Sequence, residues 1–212
     1  MPSLPRFSLC ALALVSLALA QGALEEMRSS LEEGFYAIAA QVLGPSLVAE
    51  FPDDPEAHFL YASALYLTDD PAEARSQLEQ ALALAPEPPA AYLRLSGLLY
   101  AAEGDGARAL ADLERAAGLS QDHDTALDWG RVAWQLGDYD RALAAFDLAA
   151  ATPEGGREVW AQLNRGRVLM ALERWPEALG AFEAAIMIFE ANDPGVGLPA
   201  PGYVEAFFRL GE

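Results

Sequence analysis

The segment DTALDWGRVAWQLGDYDRALAAFDLAAATP, residues 124–153, decides the fold. Its two halves are each long enough for a helix, and a Gly-Asp pair separates them. Small and large side chains occupy a fixed skeleton: Gly130, Gly137, Asp138, Tyr139, Ala142, Phe146 and Ala149. The small residues would allow two helices to cross closely, and the large ones would fill the space between neighbouring pairs. The pattern therefore predicts a helix, a tight turn and a second helix.

The same skeleton recurs along the chain at nearly constant intervals. Its small residue in the first helix is Ala62, Gly97, Gly130 and Gly166, which gives spacings of 35, 33 and 36. The predicted repeats are 55–88, 89–121, 122–156 and 157–191. A period near 34 with this skeleton resembles the tetratricopeptide repeat. The resemblance implies an all-α fold, a right-handed superhelical solenoid of antiparallel helix pairs in which each repeat contacts only its neighbours.

Both ends of the array depart from the pattern. Residues 21–54 keep the helix-turn-helix rhythm with a degenerate skeleton, which is typical of a terminal repeat. Residues 192–202 are rich in glycine and proline and predict a connecting loop, with a binding loop as the alternative. Residues 203–212 resemble the first helix of one more repeat. They are either a capping helix or the beginning of a further repeat.

The first twenty residues have the layout of a secretory signal peptide. Arg6 precedes an apolar run over 9–19, and small residues precede Gln21. We expect cleavage near Ala20 and a periplasmic or secreted protein. A membrane anchor is the alternative, but a run of about 12 residues is shorter than the ~20 that a spanning helix needs. Cleavage as a lipoprotein before Cys10, the one cysteine, would leave too short an apolar segment ahead of it.

Composition limits the classes of partner. The 212 residues include 32 acids and 13 bases, for a formal net charge of −19, and every base is arginine. A chain this acidic lacks the cations that a nucleic-acid binder needs. Hydrophobic residues make up 53%, which is enough for a packed core and argues against disorder. The mature form is expected not to span a membrane.

The sequence shows little that indicates catalysis. The two histidines are His58, at a position where this type of repeat often has tryptophan, and His123, at a predicted helix start. We interpret His58 as a packed residue and His123 as a solvated cap. Neither an HExxH zinc motif nor a phosphate-binding glycine loop occurs. We expect no catalytic residues, no metal and no cofactor, and therefore a protein that is not an enzyme.

The resemblance implies that the first helix of each repeat lines a concave binding groove. Carried over to this chain, the groove residues are Phe59, Tyr66, Arg94, Leu98, Arg131, Trp134, Trp160, Leu163, Arg167 and Met170. The corresponding positions in the four repeats carry arginines and aromatic residues, and apart from the first position of each set they carry no acid. The sequence therefore predicts a cationic, aromatic channel inside an acidic body, which would attract an anionic or amphipathic partner.

The four tryptophans divide between core and groove in this register. Trp129 and Trp175 fall at packing positions and are predicted to be core. Trp134 and Trp160 fall at groove positions, where tryptophan beside arginine is typical of interface hot spots. The alternative is that Trp134 and Trp160 stack on each other and stiffen the array.

Two functions are compatible with such a groove. The first is an exported protein-interaction scaffold that binds a peptide or partner protein, for example in envelope assembly. The alternative is a module that binds a small anionic molecule or a glycan for a transporter or wall enzyme. Some members of the family bind C-terminal carboxylates through lysines, arginines and asparagines; this chain offers Arg131 and Asn164 but no lysine. A short peptide or extended segment of another envelope protein is therefore the simplest ligand.

Overall fold

The computed structural model describes residues 9–156 and 158–192, with side chains from residue 20 onward. The chain divides into two compact units, 1–88 and 89–212, at the boundary between two predicted repeats. The first unit contains α1 (Leu9–Glu32), α2 (Tyr36–Ile38), a π-helical turn (Ala39–Leu43), α3 (Gly44–Glu50), α4 (Pro55–Leu67) and α5 (Pro71–Leu84).

The second unit contains three helix pairs. They are α6 (Ala90–Ala102) with α7 (Gly106–Ser120), α8 (His123–Gln135) with α9 (Tyr139–Ala151), and α10 (Val159–Ala171) with α11 (Trp175–Asn192). In addition, α7 packs against α8 and α9 against α10, so the pairs stack in chain order. Residues 9–156 and 158–192 contain no strand, and the predicted all-α fold of helix pairs is confirmed.

One left-handed residue turns the chain within each pair. The turn residues are Asp69, Gly104, Gly137 and Glu173, with φ between 58° and 83°. Their spacings repeat those of the small residues in the first helices, and glycine adopts this conformation without the penalty of a side chain. Aspartates then start the following helices: the side chains of Asp70, Asp105 and Asp138 each accept a backbone N–H three residues later. The turn thus serves as the cap of the next helix.

The helix pairs approach so closely that a side chain at the crossing point would clash. A Cβ atom on Gly130 would lie 2.5 Å from Cε1 of Phe146, and one on Gly166 would lie 2.5 Å from Cε1 of Phe182. At Gly97 the nearest atom is Cγ of Leu113, at 2.6 Å. Leu113, Phe146 and Phe182 are themselves at most 2% exposed, so they have little room to move. These contacts form the centre of the second unit's core.

The structure tests both interpretations of the histidines. His58 is buried, and its ring nitrogens lie 2.8 Å from Gln77 Oε1 and 2.9 Å from the Pro52 carbonyl, as expected of a packed residue. The interpretation of His123 as a solvated cap is wrong. Its side chain is 7% exposed, and Nδ1 lies 3.1 Å from the Ala149 carbonyl. Asp122 caps α8 instead, so His123 is free to turn inward against α9.

The chain termini are only partly described. Helix α1 is continuous from Leu9, so the predicted cleavage position after Ala20 lies within it. Leu24 and Met27, which follow that position, are buried in the first unit. Among the helices described, none combines the length and the apolar character that crossing a bilayer requires. Residues 193–202 of the predicted loop and the predicted partial repeat 203–212 lie outside the described residues.

We predict that Gly130→Ala destabilises the protein although alanine favours helix. Alanine is better than glycine by about 1 kcal/mol in a helix interior, but overpacking a core costs about 1–3 kcal/mol. The matched control is Gly118→Ala in α7, where a Cβ meets nothing within 4 Å. Thermal and urea unfolding should show a lower free energy of unfolding for Gly130→Ala and a higher one for Gly118→Ala. Stabilisation by both changes would contradict the close crossing.

Candidate functional site

A buried carboxylate links two of the predicted groove arginines. Arg94 of α6 donates from Nε to Oδ2 of Asp128 at 2.7 Å, and Arg131 of α8 donates from Nη2 to Oδ1 at 2.7 Å. The Asp128 side chain is 10% exposed, whereas those of Arg94 and Arg131 are 35% and 60% exposed. Asp128 therefore holds both guanidinium groups in place, and Arg131 keeps most of its surface open to solvent.

Asp128 makes the predicted cationic channel less positive than its arginines alone indicate. Asp128 offsets one of the positive charges of Arg94, Arg131 and Arg167, and Arg94 is largely neutralised within the structure. A second acid, Asp122, also lies near Arg94. Burial opposes ionisation of Asp122, but hydrogen bonds from Ser120 and Thr125, together with the charge of Arg94, outweigh it and lower its pKa. The side chain of Arg131 is 60% exposed and directs its positive charge outward, whereas Arg167 is half-buried.

Trp134 lies beside both Arg131 and Arg167. Its ring lies 5.2 Å from the ring of Tyr139, at an interplanar angle of 45°, and the guanidinium carbon of Arg167 lies 5.7 Å from the Trp134 ring centroid. The ring partner of Trp134 is therefore Tyr139 of the next helix rather than Trp160. Trp134 is half-buried and packs against the core of the second unit, so part of the indole remains accessible. A cation over an indole face also restrains the arginine.

Two hollows flank the Trp134–Arg167 pair. The first, called here the polar hollow, has a volume of about 290 Å³ and is lined by Arg131, Trp134, Gln135, Phe146, Asn164 and Arg167. Arg167 donates from Nη1 to Oδ1 of Asn164 at 3.3 Å. No acid is among these lining residues, which instead present guanidinium and amide groups to whatever occupies the hollow.

The second, called here the apolar hollow, has a volume of about 260 Å³ and is lined by Trp134, Arg167, Met170, Ala171 and Trp175. The prediction that Trp175 belongs to the core is wrong, since this residue is 57% exposed. Trp175 is the first residue of α11 and is equivalent to Tyr139, the first residue of α9, whose ring packs on Trp134. In the repeat of Trp175, the residue equivalent to Trp134 is the narrower Met170, so the indole of Trp175 is left at the surface.

We call the residues that line the two hollows and are not core the α8–α10 surface: Arg131, Trp134, Gln135, Asn164, Arg167, Met170, Ala171 and Trp175. Four of the ten predicted groove residues lie together on it: Arg131, Trp134, Arg167 and Met170. Gln135, at the last groove position that the resemblance implies for its repeat, lies on it as well. Trp175 was not predicted as a site residue, because the start of α11 gives no sequence signal that separates it from the core.

The other predicted groove residues are placed differently. Leu163 is fully buried in the core of the second unit, so its side chain is not available to a partner. It falls one turn before Arg167 but belongs to the core cluster, together with residues of α9 and α11. Leu98 is half-buried against the same core, and Trp160, at the start of α10, is 45% exposed and lines neither hollow. Phe59 and Tyr66 lie half-buried on α4 of the first unit.

Comparison with known proteins identifies the repeat. Two models of the tetratricopeptide repeat match, one over residues 30–99 and one over residues 127–196, together about two thirds of the chain. Among the curated proteins, none matches significantly.

Several solved structures share the fold at low sequence identity. YrrB, a tetratricopeptide repeat protein with an unusual peptide-binding site, is 17% identical and has a TM-score of 0.66, covering 90% of this chain and 91% of its own. MamA from Desulfovibrio magneticus RS-1 is 16% identical with a TM-score of 0.69, covering 82% and 97%. A further MamA structure is 18% identical with a TM-score of 0.69, covering 80% and 97%. At this level of identity the likeness shows the fold.

We predict that Asp128→Asn destabilises the second unit. An amide cannot compensate two guanidinium groups, and removing one partner of a charged hydrogen bond costs about 1–3 kcal/mol. The matched control is Asp124→Asn, the same change at an exposed position of the same helix. Urea unfolding should give a clearly larger loss for Asp128→Asn than for Asp124→Asn. Equal losses would show that Asp128 does not hold the two arginines together.

Proposed function

The chain belongs to the tetratricopeptide repeat family, and on that premise we propose that it is an exported scaffold that binds a segment of a partner protein on its α8–α10 surface. The observation that carries the proposal is the juxtaposition of Trp134, Arg131 and Arg167, with Trp175 exposed beside them. Tryptophan and arginine are the residues most enriched among interface hot spots. The exposed guanidinium group of Arg131 and the half-buried pair of Trp134 and Arg167 lie on packed helices and form a preformed contact surface.

The size of the hollows favours a polypeptide over a small molecule. Pockets that bind small ligands usually enclose about 300–1,000 Å³ and bury most of the ligand. Here two hollows of about 290 and 260 Å³, at the lower end of that range, adjoin on a helical surface. An extended chain could occupy both with successive side chains, whereas one small anion or sugar would fill only one. The peptide-binding site of the fold neighbour YrrB supports this choice.

We expect a photo-crosslinking residue at Gln135 to capture the partner. Gln135 is exposed and lines the polar hollow, so its replacement by a benzoyl-phenylalanine leaves the core intact. The matched control carries the same residue at Ala144, an exposed position of α9. Irradiation of cells followed by mass spectrometry should give an adduct with one protein at Gln135 and none at Ala144. The same adducts from both positions would contradict the assignment of the surface.

Replacing Trp134 should weaken binding of the partner without unfolding the protein. We expect Trp134→Ala to weaken partner binding by at least tenfold, the usual effect of truncating a hot-spot residue, which corresponds to about 1.4 kcal/mol or more. Arg141→Ala, an exposed arginine on α9 that pairs with Asp138, is the control and should bind normally. Circular dichroism must show unchanged helicity in both variants. Full binding by folded Trp134→Ala would refute the proposed surface.

Export is a separate part of the proposal. The charged start, the apolar run over 9–19 and the small residues before Gln21 support passage across the membrane with cleavage near Ala20. N-terminal sequencing of the protein from a fractionated bacterial host should therefore begin at Gln21 in the periplasmic or extracellular fraction. An intact N-terminus in the cytoplasmic fraction would contradict export and leave the α8–α10 surface to be tested by itself.

A further inference from the structure

Resting on the proposed function, we infer that the α8–α10 surface selects an extended partner segment with an acidic side chain two residues from a bulky apolar one. The two hollows differ in chemistry, and the residues of α10 that line them are offset along that helix.

The polar hollow fits a carboxylate. Arg131 donates one hydrogen bond to Asp128, and a guanidinium has five N–H donors, so its exposed part can still bind an incoming oxygen. Gln135 and Asn164 add amide groups at the same wall, and the lining residues include no acid. Charge-assisted hydrogen bonds to a carboxylate are about twice as strong as neutral ones. A lysine or arginine of a partner would instead meet like charges.

The apolar hollow fits an aliphatic or aromatic side chain. Met170, Ala171 and the exposed face of Trp175 form its wall, and Trp134 separates it from the polar hollow. Trp175 and Met170 contribute large, polarizable surfaces that gain most from being covered. Methionine also adapts its shape, so several bulky side chains can be accepted there. The apolar hollow therefore adds affinity and favours bulky apolar side chains in general rather than one particular residue.

The distance between the hollows sets the spacing. On α10 the polar hollow is lined by Asn164 and Arg167, and the apolar hollow by Arg167, Met170 and Ala171. The α10 residues that line the polar hollow and those that line the apolar hollow are centred about four residues apart, which is ~6 Å along a helix axis. In an extended peptide, side chains at i and i+2 point to the same side and lie ~6.6 Å apart. A peptide running along α10 thus places an acid and an apolar side chain two residues apart in the two hollows.

The charge of the whole chain sharpens this selection. With a formal net charge of −19, the protein repels acidic segments except where arginines are directed outward. Asp128 accepts a hydrogen bond from Arg131 and so holds this residue at the edge of the polar hollow. It also compensates the charge of Arg94. An acidic segment therefore gains at the polar hollow, while the net charge of the chain opposes its approach in general.

Selection from random peptides tests the inference. We would display random twelve-residue peptides on phage and select them on the immobilised full-length chain and on the double variant Arg131→Gln/Arg167→Gln. The wild-type chain should enrich peptides with Asp or Glu two residues from Leu, Ile, Phe, Met or Trp by about tenfold over peptides with neutral residues there. The double variant should lose the acidic preference and keep the apolar one. The control Arg141→Gln should keep both.

Several outcomes would overturn the inference. These are enrichment of basic peptides, an acidic preference that survives in the double variant, a different spacing, and no enrichment at all. Such outcomes can be distinguished from failure of the proposed function, because crosslinking from Gln135 does not depend on the sequence of the partner. If crosslinking from Gln135 is specific but the selected peptides share no acidic and apolar motif, the motif is rejected and the surface is retained. If neither specific crosslinking nor the motif is found, the surface is rejected as well.

Discussion

The rest of the second unit depends on the close crossing of each helix pair at a glycine. At Gly130 and Gly166 even one Cβ atom would lie 2.5 Å from a buried phenylalanine ring, so the two helices touch through backbone and ring alone. This contact sets the distance within each pair, and the stacking of α9 on α10 then sets the distance between α8 and α10. The two hollows lie in that space. The candidate site is therefore a consequence of how the repeats pack rather than a feature of one loop.

Electrostatics then decides what the surface presents. A chain with 32 acids and 13 arginines directs two guanidinium groups and two indoles from α8, α10 and α11 into the same small region. Asp128 is the residue that makes this possible. Buried between Arg94 and Arg131, it removes part of the repulsion between them and fixes the orientation of the exposed one. The surface is consequently less positive than an arginine count implies, but its remaining charge is held in a defined position.

The fold could be predicted from sequence because packing repeats with the period of the chain. Small residues at four equivalent positions indicated the helix pairs, and the Gly137-Asp138 pair indicated the turn between two helices. The site was predicted less well, because the exposure of a side chain depends on which residues of the surrounding helices contact it. Trp175 is exposed since Met170 stands where Trp134 stands one repeat earlier, and Leu163 is buried although it shares a helix with Arg167. Asp128 could have been found: it lies 34 residues after Arg94, one repeat period, and three before Arg131.

Binding of a partner segment to the α8–α10 surface can be followed by NMR, because the four tryptophans report on it. Their indole N–H signals are recorded while a peptide that the chain binds is added. We expect the signals of Trp134 and Trp175 to shift, because both line the hollows, while those of buried Trp129 and of Trp160 stay in place. Binding that shifts Trp160 alone, or that leaves Trp134 and Trp175 unchanged, would contradict this expectation.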